Sequence, residues 1–584
     1  MRDTKRKERN NNRIKKEAPT LIGWRFAVVS GAVVLALTAL VARAAYIQVI
    51  EPDKLRRQGD LRSLRVEKMH SARGVISDRN GEPLAVSVPV EAVFIDPAAA
   101  FDADPKGFTD YKRWKALADV LELDSDDMID KIERHKNKRF IYLQRQVSPP
   151  VASYVKSLRL PGVGLTQESR RFYPAGEISA HLIGVVGIEG QGLEGIERGY
   201  DSWLSGEAGE RTVRKDRTGK VIENIALEDK EEGKPMQLSI DQRLQAISYR
   251  AIKQAVADYR ATSGSLVMVD VQTGEVLAMV NSPSYNPNNR KELQSFKMRN
   301  RAITDVFEPG STIKPLVVLA ALENEIADEH TIIDTGNGIM AIGGARVRDT
   351  SAIGAADLNQ ILKKSSNIGV SKLSLSMPVE SLLGTYGSAG IGETTGINLI
   401  GESQGLYPSD GNWSDFERAT LSFGYGLSIT PAQLARVYAT IGSLGVNHPL
   451  SILKAKPNEN KGKRVASEEN SRKLLNMLES VTSPDGTASS AAINGYRVGA
   501  KTGTAKVATA GGYGDEYIAY TAGIAPISEP RLALVVVINE PQGDKYYGGQ
   551  VAAPIFSEVM KSALQILNVA PDANSPVTHI AKKN

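Results

Sequence analysis

A chain of 584 residues with 41% hydrophobic and 24% charged positions is too long for one ordinary core and too balanced for a fibrous or disordered protein, so two or more folded units are expected. It has no cysteine, which excludes disulfides, thiol nucleophiles and cysteine metal sites; its six histidines (His70, His135, His181, His330, His448, His579) are scattered, and none adjoins the motifs described below. The net charge of +5 lies wholly within residues 1–20, where Arg2, Lys5, Arg6, Lys7, Arg9, Arg13, Lys15 and Lys16 outnumber Asp3, Glu8 and Glu17, so the neutral remainder offers no basic face for nucleic acid.

That basic stretch, residues 1–21, reads as a cytoplasmic tail by the positive-inside rule, and residues 22–45 as a membrane helix. Phe26 to Ala42 is free of charge, Trp24 and Tyr46 flank the run, and Arg25 and Arg43 can snorkel to the headgroups. The length of the run favours an uncleaved single-pass anchor. The alternative is a signal peptide, since Ala42-Arg43-Ala44 fits a small-x-small cleavage pattern and would give a mature start at Ala45. Either way the body of the chain is exported.

Residues 46–232 alternate short apolar runs with Gly, Pro and charge clusters and read as a pedestal domain. The segment opens with Arg73-Gly74-Val75-Ile76-Ser77-Asp78-Arg79-Asn80-Gly81-Glu82-Pro83-Leu84-Ala85, whose Asn-Gly marks a turn between strand-like pieces. It closes with Gly192-Leu193-Glu194-Gly195-Ile196-Glu197-Arg198-Gly199-Tyr200, and both segments are expected to be packing motifs without chemistry. The charged stretch Glu228 to Lys234 marks the boundary to a second domain, residues 233–570.

That second domain begins with helical periodicity from Asp241, carried by Leu244, Ile247, Ala251, Ile252, Ala255 and Val256. Leu266 to Val271 and Glu275 to Val280 around Gln272-Thr273-Gly274 predict a β-hairpin, Leu532 to Ile538 a buried strand and Ala553 to Leu567 a closing helix. Early strands paired with late ones across a helical middle predict an α/β (α+β) domain with a mostly antiparallel sheet flanked by helices. The polar stretch 571–584 is expected to be a disordered tail.

Three short motifs lie in this domain in the order Ser311-x-x-Lys314, Ser365-x-Asn367 and Lys501-Thr502-Gly503. Each alone is weak: Ser153-x-x-Lys156 and Ser451-x-x-Lys454 match the first, Ser284-x-Asn286 the second, and Arg217-Thr218-Gly219 nearly matches the third. Only the set beginning at Ser311 runs in order at domain-scale spacing. Ser311 follows Glu308-Pro309-Gly310 and precedes an apolar run, which places it at a helix N-terminus with Lys314 one turn on, on the same face. Burial and the positive helix end disfavour the ammonium form, so Lys314 can act as base towards the Ser311 hydroxyl.

The Ser365 hydroxyl can relay a proton to a leaving amine, and the Asn367 amide can hold Lys314 or a substrate carbonyl. Spacing favours Ser365 over Ser366, but the sequence leaves open which of them points inward. Lys501 to Thr504 follow a strand-like Tyr496 to Ala500. A strand edge there can pair with an extended peptide, Gly503 permits close approach, and Lys501 and the Thr502 hydroxyl can hold a substrate carboxylate. The backbone N–H groups of Ser311 and Thr504 are natural oxyanion-hole donors, each worth about 3 kcal/mol in a transition state.

This ordered trio is that of penicillin-binding proteins and serine β-lactamases. Together with the Arg73 to Ala85 and Gly192 to Tyr200 segments, Ser284-Tyr285-Asn286-Pro287, Phe423-Gly424-Tyr425-Gly426 and Thr430-Pro431, it makes the chain resemble the class B penicillin-binding proteins of Gram-negative bacteria, the division-specific ones in particular, over nearly its whole length. The resemblance implies a bitopic inner-membrane protein whose dimerisation-type pedestal carries a periplasmic serine D,D-transpeptidase that cross-links peptidoglycan stem peptides at the division septum. It implies that Ser311 attacks the penultimate D-alanine carbonyl, that β-lactams acylate Ser311 covalently, and that Tyr546 and Tyr547 form an aromatic wall of the binding site. No cofactor or metal is implied. The implied partners are a septal glycosyltransferase, FtsW, and other divisome proteins. A serine β-lactamase would need a further deacylating base, for which no carboxylate is assignable; a β-lactam-binding sensor and a non-catalytic divisome scaffold are the remaining alternatives.

Overall fold

The computed structural model describes residues 23–573 apart from 51, 70, 106–107, 109, 217–220, 409–410, 456–460 and 510–511, so the expected cytoplasmic tail and Arg217-Thr218-Gly219 lie outside the described residues. Two compact units emerge. In the first, formed by 23–69 and 208–230, the helix Gly23–Ala45 buries none of its apolar side chains. Among the described residues, Gly23–Val49 is the one helical stretch long and apolar enough to cross a membrane. After it this unit holds a second helix, Pro52–Ser63, and a three-stranded antiparallel sheet of Leu64–Met69, Gly209–Lys215 and Val221–Glu228.

The second unit combines 70–207 with 231–573. Its pedestal part is built on β1 (Pro83–Ile95), flanked by antiparallel β2 (Ile141–Val147) and β3 (Val163–Phe172), over a core that includes Val93, Ile95, Trp114, Leu117 and Ile132. The opening and closing sequence segments meet here. Glu197 is fully buried and accepts from Arg171 Nε at 2.7 Å and from Arg73 Nε at 2.5 Å, while Arg73 also reaches Asp201 Oδ1 at 2.6 Å. Removing one partner of such a buried pair strands the other charge, at a cost of about 3–5 kcal/mol. The Asn80-Gly81 turn forms with Gly81 at φ +91°, and Asp78 uses its second oxygen to accept from Gln242 N at 3.0 Å. Both segments are thus structural, as the sequence suggests.

Asp78 and the capping residue Asp241 together start α1 (Gln242–Asp258). The hairpin β4 (Ser263–Asp270) and β5 (Val276–Ser282) follows, then α2 (Lys314–Glu323), α3 (Asn367–Leu375) and α4 (Pro431–Gly442). Three strands close the domain, β6 (Gly499–Thr509), β7 (Gly512–Ala525) and β8 (Leu532–Asn539), before α5 (Gly548–Ile566). The antiparallel sheet has the order β5-β4-β8-β7-β6, so the first hairpin pairs with the last strand and β6 lies at an edge. Alternation along β7 sends neighbouring residues to opposite faces: Gly523 meets Phe556 of α5, and Ile524 meets Gly442 of α4. Helices on both faces explain why every residue of β4 and β5 is buried.

Two boundaries differ from the sequence reading. The closing helix starts at Gly548, five residues before Ala553, because Gly548 N is anchored on Thr504 Oγ1 at 2.9 Å and Pro554 is accommodated inside the helix. Of the stretch expected to be a disordered tail, Pro571 to Ala573 is ordered: Asp572 accepts from Arg497 N at 2.7 Å and from Ser528 Oγ at 2.8 Å. The remaining residues, 574–584, lie outside the described residues.

Candidate active site

Ser311 lies in a tight turn, Gly310–Ile313, that runs directly into α2, with Pro315 in the first turn of that helix. Two glycines make the turn possible. Gly310 has φ +48° and a Cβ there would stand 2.5 Å from Tyr520 Oη; a Cβ on Gly424, at φ +86°, would stand 2.3–2.6 Å from the Gly310 backbone. The Gly310 N–H donates to Gly424 O at 3.2 Å, which ties the nucleophile turn to the Phe423-Gly424-Tyr425-Gly426 segment. Residues 314–322 of α2 are buried all round, so the Lys314 amine has nowhere to go but inward.

There it meets the second motif. Lys314 Nζ donates to Ser365 O at 2.6 Å, Asn367 Oδ1 at 2.7 Å and Ser365 Oγ at 3.2 Å. Among the described residues it makes no hydrogen bond to Ser311 Oγ, although the two lie one turn apart. The physical reason is competition: three acceptors of the 365–367 turn saturate an ammonium. A neutral amine keeps the two short bonds and frees its lone pair. Burial, and next the charge of Lys501, hold the Lys314 pKa well below the ordinary lysine value, against the pull of Asp349. The repelling charge is therefore Lys501, which the sequence did not suggest for this role.

Ser365 sits at φ +59°, a conformation few non-glycine residues adopt and one that concentrates at functional sites. Its hydroxyl oxygen accepts from both Lys314 Nζ and, at 2.8 Å, Lys501 Nζ. When Lys314 and Lys501 are both ammonium, both lone pairs are engaged and the proton of Ser365 is the free one. Of the two adjacent serines, Ser366 points away from the lysines: it caps α3 by accepting from Gly369 N at 2.9 Å and donates to Asp349 Oδ2 at 2.6 Å.

The third motif lies inside edge strand β6, in register with β7 so that Lys501 opposes Ala522 and Gly503 opposes Tyr520. Lys501 is fully buried, and that burial lowers its pKa to about 7. Its ammonium donates to Ser365 Oγ and, at 3.2 Å, Thr502 O; it is engaged inside the site, and the structure does not turn it outward towards a carboxylate. Gly503 is required because a Cβ would fall 2.0 Å from the Tyr520 ring, whose hydroxyl donates to Glu308 O at 2.9 Å. Thr502 Oγ1 makes only a 3.5 Å bond to Thr487 O, and Thr504 Oγ1 accepts from the start of α5.

Tyr546 and Tyr547 lie after β8, in an aromatic row in which Tyr517 stacks on Tyr546 at 4.4 Å and Tyr546 meets Tyr547 at the same distance. Sequence reasoning missed four contributors: Asp349 beneath the second motif, Tyr520 beneath the third, and Glu308 with Tyr513, whose hydroxyl donates to the Glu308 carboxylate at 3.0 Å. Glu308 directly precedes Pro309-Gly310-Ser311; the other three stand in no motif. The decoys are employed elsewhere: Ser153 lies in the pedestal helix Pro149–Leu158, Ser284 donates to Glu177 O and Ser451 to Leu453 O.

Residues 264–561 match the penicillin-binding protein transpeptidase domain and 68–238 the penicillin-binding protein dimerisation domain. The chain is 52% identical over 558 residues to the peptidoglycan D,D-transpeptidase FtsI of Escherichia coli, covering 95% of this chain and 94% of that protein. Among solved structures it is similar to a peptidoglycan synthetase from Bifidobacterium adolescentis (27% identity, TM-score 0.69, 88% of this chain and 98% of that one). It is also similar to the transpeptidase domain of penicillin-binding protein 3 from Burkholderia pseudomallei (39% identity, TM-score 0.54, 57% and 98% covered).

Proposed function

The chain belongs to the penicillin-binding protein transpeptidase family and is a peptidoglycan D,D-transpeptidase, and we propose that Ser311, Lys314, Ser365, Asn367 and Lys501 carry its acyl transfer. The observation that carries this assignment is the Ser365 hydroxyl shared by two buried lysines. Neutral Lys314 takes the proton of Ser311 as Oγ bonds to the penultimate D-alanine carbonyl. The peptide bond to the terminal D-alanine then breaks, and its nitrogen takes the free Ser365 proton, which Ser365 regains from the lysines. An amine of a second stem peptide attacks the ester, gives up a proton by the same route, and Ser311 leaves. Oxyanion charge is met by the N–H groups of Ser311 and Thr504.

Asn367 orients Lys314, and Lys501 acts through Ser365. Thr502, Gly503 and Thr504 present the strand edge to the donor peptide, with Thr502 free to hold its carboxylate, and Tyr546 and Tyr547 wall the site. A β-lactam enters the same path and stops at the ester. In cellular terms, residues 1–21 face the cytoplasm, 22–45 anchor the chain in the inner membrane, and 46–232 form a pedestal that carries the 233–570 catalytic domain into the periplasm at the division septum. There it works beside the glycosyltransferase FtsW and other divisome proteins.

Labelling with a fluorescent penicillin tests the site. A long-lived adduct that maps to Ser311 and is lost in Ser311→Ala is expected; rapid turnover would mean a hydrolase, and no adduct a scaffold. Depletion of the protein is expected to give filaments, whereas short or bulging cells would place it in elongation.

A further inference from the structure

The second motif is not self-supporting, and what seats it is a residue outside all three motifs. Asp349 follows the hairpin of Ile339–Ile342 and Ala345–Arg348, and its own N–H donates to Gly338 O at 3.0 Å. Oδ1 accepts from Asn367 N at 2.6 Å and Ile368 N at 3.0 Å, and Oδ2 accepts from Ser366 Oγ at 2.6 Å. The preceding carbonyl, Arg348 O, accepts from Asn367 Nδ2 at 2.8 Å, which leaves Asn367 Oδ1 as the end that faces Lys314. Residues 348 and 349 therefore fix Asn367 by its backbone and its side chain together.

We propose that Asp349 is a positioning residue of the transpeptidase: its carboxylate seats the Ser365–Asn367 turn against Lys314 and supplies the negative charge that sets the pH range in which Ser311 is acylated. Two charged groups act on Lys314: Lys501 of β6, which shares the Ser365 hydroxyl with it, and Asp349 after the hairpin, which holds the backbone of the Asn367 that Lys314 bonds. They act in opposite senses. Lys501 favours the neutral amine that removes the Ser311 proton, and Asp349 favours the ammonium that returns it to Ser365 and the leaving amine. The proposal rests on Lys314 being the base.

The test is the pH dependence of acylation by a chromogenic cephalosporin, followed in the full-length protein alongside its melting temperature. Asp349→Asn keeps an acceptor for the two backbone N–H groups and loses the charge; Asp349→Ser is a second neutral residue that still carries a hydroxyl acceptor. Both are expected to move the acid limb of the acylation profile to lower pH by about one unit, the effect of removing a nearby opposite charge. Ser366→Ala loosens the same turn without a change in charge and is expected to leave the limb in place. An unmoved limb in the neutral variants that hold their fold, or an equal movement in Ser366→Ala, overturns the proposal and leaves Asp349 a helix cap. Lys314→Ala separates the two claims: if it still acylates with an unchanged profile, the assignment of the base fails, whereas abolished acylation together with an unmoved Asp349→Asn limb defeats this inference alone.

Discussion

Lys501 Nζ donates to Ser365 Oγ at 2.8 Å across 136 positions of sequence, so a side chain of the third motif and, through Lys314, one of the first meet on the second. This one contact makes the three motifs a single proton network. It also makes Ser365 the residue whose loss should uncouple both lysines from the substrate.

At φ +59° Ser365 tolerates glycine better than any side chain. Ser365→Gly should therefore keep the melting temperature at or above the parent, with Ser365→Ala about 1 kcal/mol less stable than Ser365→Gly. Both should slow acylation by about two orders of magnitude, the usual yield of a positioned proton donor. Thermal unfolding and stopped-flow acylation on the same preparations check this. An active Ser365→Gly would return the relay to Ser366.

The two buried lysines should be costly to the fold. Lys501 titrates at about 7 in the folded chain against 10.5 when exposed, and Lys314 is shifted in the same direction. Between these values the unfolded chain binds protons that the folded chain does not, so these groups make stability rise with pH from about 7 to about 10. Lys501→Met should remove one such demand, raising the melting temperature at neutral pH by about 2–4 °C and flattening the rise, while abolishing acylation. Unfolding scans at neutral and alkaline pH check both the sign and the slope.

Gly503→Ala should be far worse than its single methyl suggests. Its Cβ would lie 2.0 Å from the ring of Tyr520, which is fully buried and holds Glu308, three residues before Ser311. Overpacking of this kind costs about 1–3 kcal/mol, and the displaced ring should carry the nucleophile turn with it. Loss of acylation is expected, and the double variant Gly503→Ala with Tyr520→Leu should recover melting temperature without recovering activity.

Tyr547 is 50% exposed and meets Tyr546 ring to ring. Tyr547→Ala should leave stability nearly unchanged and raise the concentration of a bulky β-lactam needed for half-acylation several-fold, as the loss of about 1 kcal/mol of aromatic contact implies. Competition labelling with a small and a large β-lactam distinguishes a wall from a surface ornament: equal effects on both would assign Tyr547 no part in recognition.

Local patterns were legible in the chain because they report local physics. The charge-free run of Phe26 to Ala42, the Asp241 cap with its periodic helix, the hairpin around Gln272-Thr273-Gly274 and the order of Ser311, Ser365 and Lys501 each follow from spacing and propensity within a few turns. The edge position of β6 also followed, loosely, from motif logic. By itself the sequence determined which side chains could do acyl transfer and that the domain would be an antiparallel sheet between helices.

Only the tertiary structure decided how those side chains are used, because each decision is a contact between segments distant in sequence. Lys314 bonds the 365–367 turn and not Ser311 because three acceptors converge on its buried amine. Ser365 and not Ser366 meets the two lysines because Asp349 claims the Ser366 hydroxyl. Lys501 faces inward because the edge strand brings it over Ser365, and Gly503 is needed because register sets Tyr520 opposite it. These contacts join segments tens to hundreds of residues apart, so they exist only once the sheet and its helices are packed.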